Sequence, residues 1–220
     1  MNRFFAFLAV AGLGVAAPAF AAGTPSTVTL TFDEVASQSS VADTYLASTG
    51  LSFSGEALGL QGLDFAGAYS NAPSAGGIMF VNAADVANAN LGQVVSVLST
   101  SADSYFVGAV TFYFSSSSAG PLVEVYSGVN GSGELLAESS ILHPNAQRLC
   151  SDSMLCNWQS VTISFPAQAQ SIVFYANGGY TGYDNVTVST VSSVPEPGSY
   201  AMMAGGLLAL GFMARRRRSR

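Results

Sequence analysis

The chain has 220 residues, enough for one domain once two unusual ends are set aside. Charged residues make up only 9%, and there is no lysine; ordinary soluble domains carry roughly 25%. Between Gly23 and Val194 twelve acids face a single base, Arg148, for a charge near −11, and a surface of that sign repels phosphate backbones and excludes nucleic acid as a partner.

The N-terminus begins with Arg3, runs apolar from Phe4 to Val15, and reaches Ala19-Phe20-Ala21. A positive start, an apolar stretch and small residues after it define a secretory signal peptide. It is predicted over residues 1–22, with signal peptidase cutting near Ala21 or Ala22.

Strand signals recur through residues 23–193. Thr27 to Phe32 alternates, with Val28, Leu30 and Phe32 on one face. Gly77 to Val81 reads as a short buried strand. Val107 to Phe114 alternates again, with Val110, Phe112 and Phe114 together. Leu122 to Ser127 and Glu134 to Leu142 flank Asn130-Gly131, a pair suited to positive φ and therefore to a hairpin. Trp158 to Phe165, Ser171 to Tyr175 and Tyr183 to Thr190 complete the set. Ala83 to Asn90 is Ala-rich, but its Asn and Asp favour a loop. Short strands between Gly, Ser, Asn and Pro turns predict an all-β domain, an antiparallel β-sandwich of jelly-roll type.

Residues 194–220 form a third region. Val194-Pro195-Glu196-Pro197-Gly198 breaks any strand. Ser199 to Ala214 is apolar and compatible with a transmembrane helix, and arginines close the chain. Sixteen helical residues reach about 24 Å, slightly less than the roughly 30 Å hydrocarbon core, and snorkelling arginines supply the difference. The positive-inside rule keeps those arginines cytoplasmic and the body outside.

The stretch VPEPGSYAMMAGGLLALGFMARRRR resembles the PEP-CTERM sorting signal over Val194 to Arg220. The resemblance implies a Gram-negative bacterium and recognition by exosortase, a membrane-embedded peptidase, through Pro195, Glu196 and Pro197. It further implies a transient stay in the inner membrane, then a place in the cell envelope or extracellular matrix among biofilm exopolysaccharide. The pieces LTFDEV, VEVYSGVNGSGELLA, WQSVTISF and YDNVTV are similar to strands of the β-sandwich ectodomains found ahead of such tails.

Within the body, Cys150 and Cys156 are the only cysteines, and in an exported protein they are predicted to form a disulfide. With His143 they fall short of a zinc shell. Asp33-Glu34 and Asp184-Asn185 stand at strand ends, and parity places Glu34 and Asp184 on core-facing positions. A carboxylate there needs hydrogen bonds or a cation. Resemblance to carbohydrate-binding sandwiches implies Ca²⁺ on these oxygens; the alternative is that both acids accept hydrogen bonds at turns. Trp158, Tyr126, Tyr175, Tyr180 and Tyr183 could stack on sugar rings; Trp158 reads best as core, and Tyr180, in a Gly-rich loop, is the ligand-binding candidate. No nucleophile elbow, metalloprotease motif or phosphate loop occurs. Glu134 and Glu138 share strand parity, as a glycosidase pair would, or as the solvent side of a hairpin would.

The function expected from these readings is that of an exported, exosortase-processed, non-enzymatic envelope or matrix protein. The alternatives are a carbohydrate-binding module for the cell's own exopolysaccharide and a secreted glycan hydrolase or lyase.

Overall fold

A computed structural model describes residues 21–55, 57–61, 69–82, 93–101, 103–117, 122–146, 153, 155–177, 180–194 and 205–207. The strands are β1 (Ala21–Ala22), β2 (Ser26–Leu30), β3 (Leu51–Gly55), β4 (Ala57–Gln61), β5 (Gly77–Asn82), β6 (Gln93–Thr100), β7 (Ser104–Ser116), β8 (Val123–Tyr126), β9 (Leu135–Glu138), β10 (Gln159–Ser164), β11 (Ser171–Asn177) and β12 (Tyr180–Val194). One short helix, α1 (Leu46–Thr49), and a 3-10 turn at Val129–Gly131 interrupt them. Gly23–Ser193 is a compact unit.

Two antiparallel sheets make up that unit. The first runs β10-β7-β12-β5-β4, with β2 also on β12; the second runs β3-β6-β11-β8-β9. The chain changes sheet at most steps, so each sheet is stitched from distant segments. This is the predicted antiparallel β-sandwich.

The core lies between the sheets. The first contributes Leu30, Val110, Phe112, Phe114, Val186 and Val188, and the second Leu98, Val123, Val125, Ile172 and Phe174, all buried. These β-branched and aromatic side chains suit a half-buried pleated surface. Phe112 and Tyr183 of the first sheet meet Phe174 of the second edge-on, with ring centroids 5.8 and 5.0 Å away. Edge-to-face rings add to area burial. Burial pushes the Tyr183 hydroxyl well above its usual range, and the hydroxyl donates to the Tyr175 carbonyl at 2.7 Å.

A smaller core of Leu60, Ile78, Ala146 and Leu155, joined by Tyr69, Phe80 and Trp158, covers the opposite face of the first sheet. Gly182 sits beneath it, and a Cβ there would lie 3.0 Å from Ile78, Leu155 and Trp158. Trp158 packs on this core, and its indole N–H donates to the Ser70 carbonyl at 3.0 Å.

The alternating segments became β2, β7, β10 and β12, and Gly77 to Val81 became β5, with the expected residues inward. Strands β1, β3, β4 and β6 lie outside the predicted set. The hairpin forms with Asn130 at φ 56 and Gly131 at φ 70, but its second arm stops at Glu138 instead of Leu142. A register shift between Val125 and Tyr126 pairs Tyr126 with Leu135. Leu135 is therefore 44% exposed, where simple alternation predicts it inward. The loop predicted at 83–90, the predicted signal peptide up to residue 20 and most of the predicted C-terminal helix lie outside the described residues. Residues 205–207 are helical. Among the described residues no helix is long and apolar enough to cross a membrane.

Candidate functional site

The predicted acids at the first and last strands do meet, with one exception. Phe32 takes a left-handed φ of 62, and Asn185 one of 49. A left-handed residue breaks the two-residue period of a strand. After Phe32 the parity fails, so Glu34 is exposed instead of core-facing, beside the Tyr45 hydroxyl. Asp184 is fully buried, but the break at Asn185 separates it from Val186 and Val188. Its neighbour Tyr183 points into the core between the sheets, so Asp184 faces away from that core, toward Ser74.

Ser74 joins Asp184 to Asp33. Its N–H donates to Asp184 Oδ2 at 2.7 Å. Its hydroxyl lies 2.9 Å from Asp184 Oδ1 and 2.9 Å from Asp33 Oδ1. Asn185 N–H donates to Asp184 Oδ1 at 2.6 Å, and the N–H groups of Gly76 and Gly77 donate to Asp33 Oδ1 at 2.9 and 2.8 Å. Gly76 is required there, since a Cβ would come within 2.9 Å of the Asp33 carboxylate. Burial raises the Asp184 pKa above its usual value, against the lowering effect of its three donors, and the Asp33 charge raises it further.

Calcium takes six to eight oxygens. The described residues offer two carboxylates here, both turned toward N–H and O–H donors, and N–H groups repel a cation. Among the described residues no group of three or more His, Cys, Asp or Glu could hold a metal ion. The arrangement fits a hydrogen-bonded clasp and does not fit a calcium shell. Asn185 enters it only through its backbone.

The other candidates are dispersed. Tyr180 opens β12 opposite Asn82, so it is a strand residue and not a loop residue; its side chain lies outside the described part. Cys156 is buried, and no free cysteine occurs among the described residues; Cys150 lies outside them. Glu134 precedes β9, its N–H bonded to the Ser127 hydroxyl, and both Glu134 and Glu138 are exposed. The direct partner of Glu138 is Glu124 on β8, a residue that sequence parity did not single out. Glu124 Oε2 accepts from the Tyr126 and Tyr175 hydroxyls at 2.7 and 2.6 Å. Burial, with the Glu124 carboxylate second, pushes the Tyr175 pKa well above its usual range.

A cleft of about 410 Å³ opens on the flank where β9 and β10 end their sheets, lined by Phe114, Glu138 to His143, Gln159 and Val161 to Ile163. Sequence patterns gave no sign of it, because its two walls are some twenty residues apart in the chain.

The sorting residues Pro195, Glu196 and Pro197 lie outside the described part, and there sequence comparison speaks. Residues 193–218 match the PEP-CTERM protein-sorting motif. The molecule is thus an antiparallel β-sandwich followed by a PEP-CTERM sorting segment. No curated protein matches the chain. Among solved structures, a mutant form of a family 29 carbohydrate-binding module is similar at 13% identity, TM-score 0.45, over 76% of this chain and 92% of that one. A family 29 module from Piromyces equi is similar at 11% identity, TM-score 0.42, over 76% and 91%. The K1 cleaved adhesin domain of Lys-gingipain from Porphyromonas gingivalis W83 is similar at 16% identity, TM-score 0.42, over 74% and 97%.

Proposed function

We propose that this protein is exported through its N-terminal signal peptide, cut by signal peptidase, held briefly in the inner membrane, and released by exosortase to the cell envelope or matrix. The observation that carries this reading is the sorting motif at residues 193–218. The arginines after it hold the tail on the cytoplasmic side until the Pro195-Glu196-Pro197 element is processed. Outside the cell the body acts as a non-enzymatic surface or matrix component, with Cys150 and Cys156 bridged in the oxidising compartment. Peptide mapping of the released protein tests the handling step. The expected map ends near Pro195 to Pro197; a released chain that keeps Arg215 to Arg220 contradicts it.

A second reading, that the body binds exopolysaccharide, draws on the flank cleft and its mixture of hydroxyl, amide and apolar side chains. Co-sedimentation of the exported protein with polysaccharide from the producing cell tests it, and recovery of all the protein in the soluble fraction argues against it.

A further inference from the structure

The flank cleft is held open by its own chain. The strap from Ser139 to Ala146 is pinned at both ends. At one, Ser139 N–H donates to the Val123 carbonyl at 2.8 Å, and Val123 N–H donates to the Ser139 hydroxyl at 3.0 Å. At the other, the N–H groups of Asn145 and Ala146 donate to the Ser116 carbonyl at 3.1 and 3.0 Å, and the buried Asn145 side chain accepts from Ser116 N–H and donates to the Phe114 carbonyl. Between the pins Leu142 is buried in the core, while Ile141 is 58% exposed. Such a wall needs no ordering when a ligand arrives.

The opposite wall is β10. Val161, Thr162 and Ile163 are consecutive, and all three line the cleft. Successive strand residues point to opposite faces, so the cleft runs along the edge of β10, the last strand on that side of its sheet. A ligand there meets strand-edge backbone groups, the side chains of Ser139, Ser140, Gln159 and Thr162, and an apolar floor including Phe114. Many hydrogen-bonding groups over an apolar floor suit a sugar.

Charge narrows the class. Glu138 lines the cleft, and Glu124 lies directly across the ladder from it. Like charges directly opposite destabilise a sheet. The chain holds no lysine, and the one arginine between the two ends, Arg148, faces twelve acids. Among the described residues no lysine or arginine offsets this pair, and the basic side chain lining the cleft is His143. A cationic ligand would offset the pair, and an anionic one would be repelled.

We infer that the flank cleft binds a short stretch of amino-sugar polysaccharide whose free amine pairs with Glu138. The inference rests on the glycan-binding reading above and specifies its site and ligand chemistry. The test titrates the exported, processed protein, in EDTA and low salt, with glucosamine tetramer, N-acetylglucosamine tetramer and cellotetraose, read by calorimetry and backbone amide shifts. Glucosamine tetramer is expected to bind, with shifts at Ile141, His143 and Thr162. Glu138→Gln, at an exposed position, is expected to weaken it about tenfold, the ratio of one lost charge-assisted contact, as is raised salt in part. Equal binding of the acetylated or neutral tetramers, or an unchanged Glu138→Gln, overturns the amine assignment and leaves glycan binding standing. Shifts away from the cleft overturn the site. Binding of none of the three overturns the inference, and the glycan reading then rests on co-sedimentation alone. A rise in mass with shifts along β10 assigns the edge to a second copy instead.

Discussion

Two places in this molecule bring a pair of carboxylates together, and they do it in opposite ways. At the clasp, Asp184 is fully buried and faces the N–H groups of Ser74 and Asn185, Asp33 has the N–H groups of Gly76 and Gly77, and the two carboxylates share the Ser74 hydroxyl. At the flank, Glu138 is exposed opposite Glu124, which only two tyrosine hydroxyls touch. A buried acid survives because the protein surrounds it with donors. An exposed pair needs no such donors and leaves its charge available to something outside. The same residue type is therefore structural in one place and available for binding in the other.

The largest test of that contrast is Asp184→Ala. It leaves the buried N–H of Ser74 and the part-buried N–H of Asn185 without their acceptor, and a fully buried orphan donor costs about 1–3 kcal/mol. The net loss, after relief of the buried charge, should be about 2–4 kcal/mol in chemical denaturation, a large share of a typical 5–15 kcal/mol stability. If Asp184→Ala unfolds at the same denaturant concentration as the parent, the clasp reading is wrong.

The pH response of the clasp follows from its raised pKa. The folded state of Asp184 holds its proton more tightly than the unfolded chain does. Its contribution to stability is then fully present below the unfolded pKa and is lost as pH rises through the folded one. Melting temperature should therefore rise as pH is lowered from neutrality through the raised pKa of Asp184, reinforced by the fading repulsion of a body with twelve acids and one arginine. Asp184→Asn removes the Asp184 part of that slope. A melting temperature that falls over this interval contradicts the sign.

Glu138→Gln should change stability by no more than about 0.5 kcal/mol, as exposed substitutions do, and any change should be upward because a like-charge pair is removed. A loss above 1 kcal/mol would move Glu138 into the structural class and break the comparison.

The clasp was half legible in the sequence. Asp33 and Asp184 announced themselves by standing at the ends of alternating strands, and the fold brings them together. Ser74 did not, because nothing in Ala72-Pro73-Ser74 marks a serine that will lie between two aspartates. Glu34 was misplaced because no pattern reveals that a buried phenylalanine, Phe32, will take a left-handed conformation. The sandwich itself was legible from the alternation of β2, β7, β10 and β12 and from the short apolar runs of β5 and β11. Strands β3 and β4 are short and rich in Ser, Gly or Ala, and they become strands through pairing with neighbours rather than through their own propensity. Strand β6, QVVSVLST, has the Val-rich composition of a strand and was legible but missed. The flank cleft depends on where β9 and β10 end up in two different sheets, a tertiary fact with no local signature.

The smallest expected effect separates the clasp from a metal site. Chelation with EGTA should leave the melting temperature unchanged, since Asp33 and Asp184 are offset by Ser74, Gly76, Gly77 and Asn185 and not by a cation. A structural calcium would stabilise the fold by binding only the folded state, so its removal would lower the melt and abolish the difference on adding calcium back. A drop on EGTA that Asp184→Ala eliminates would place the cation on these two carboxylates and replace the hydrogen-bonded clasp with a metal-bound one. A drop that survives Asp184→Ala but vanishes in Glu138→Gln would place it at the flank instead, where it would compete with the sugar amine for the same carboxylate.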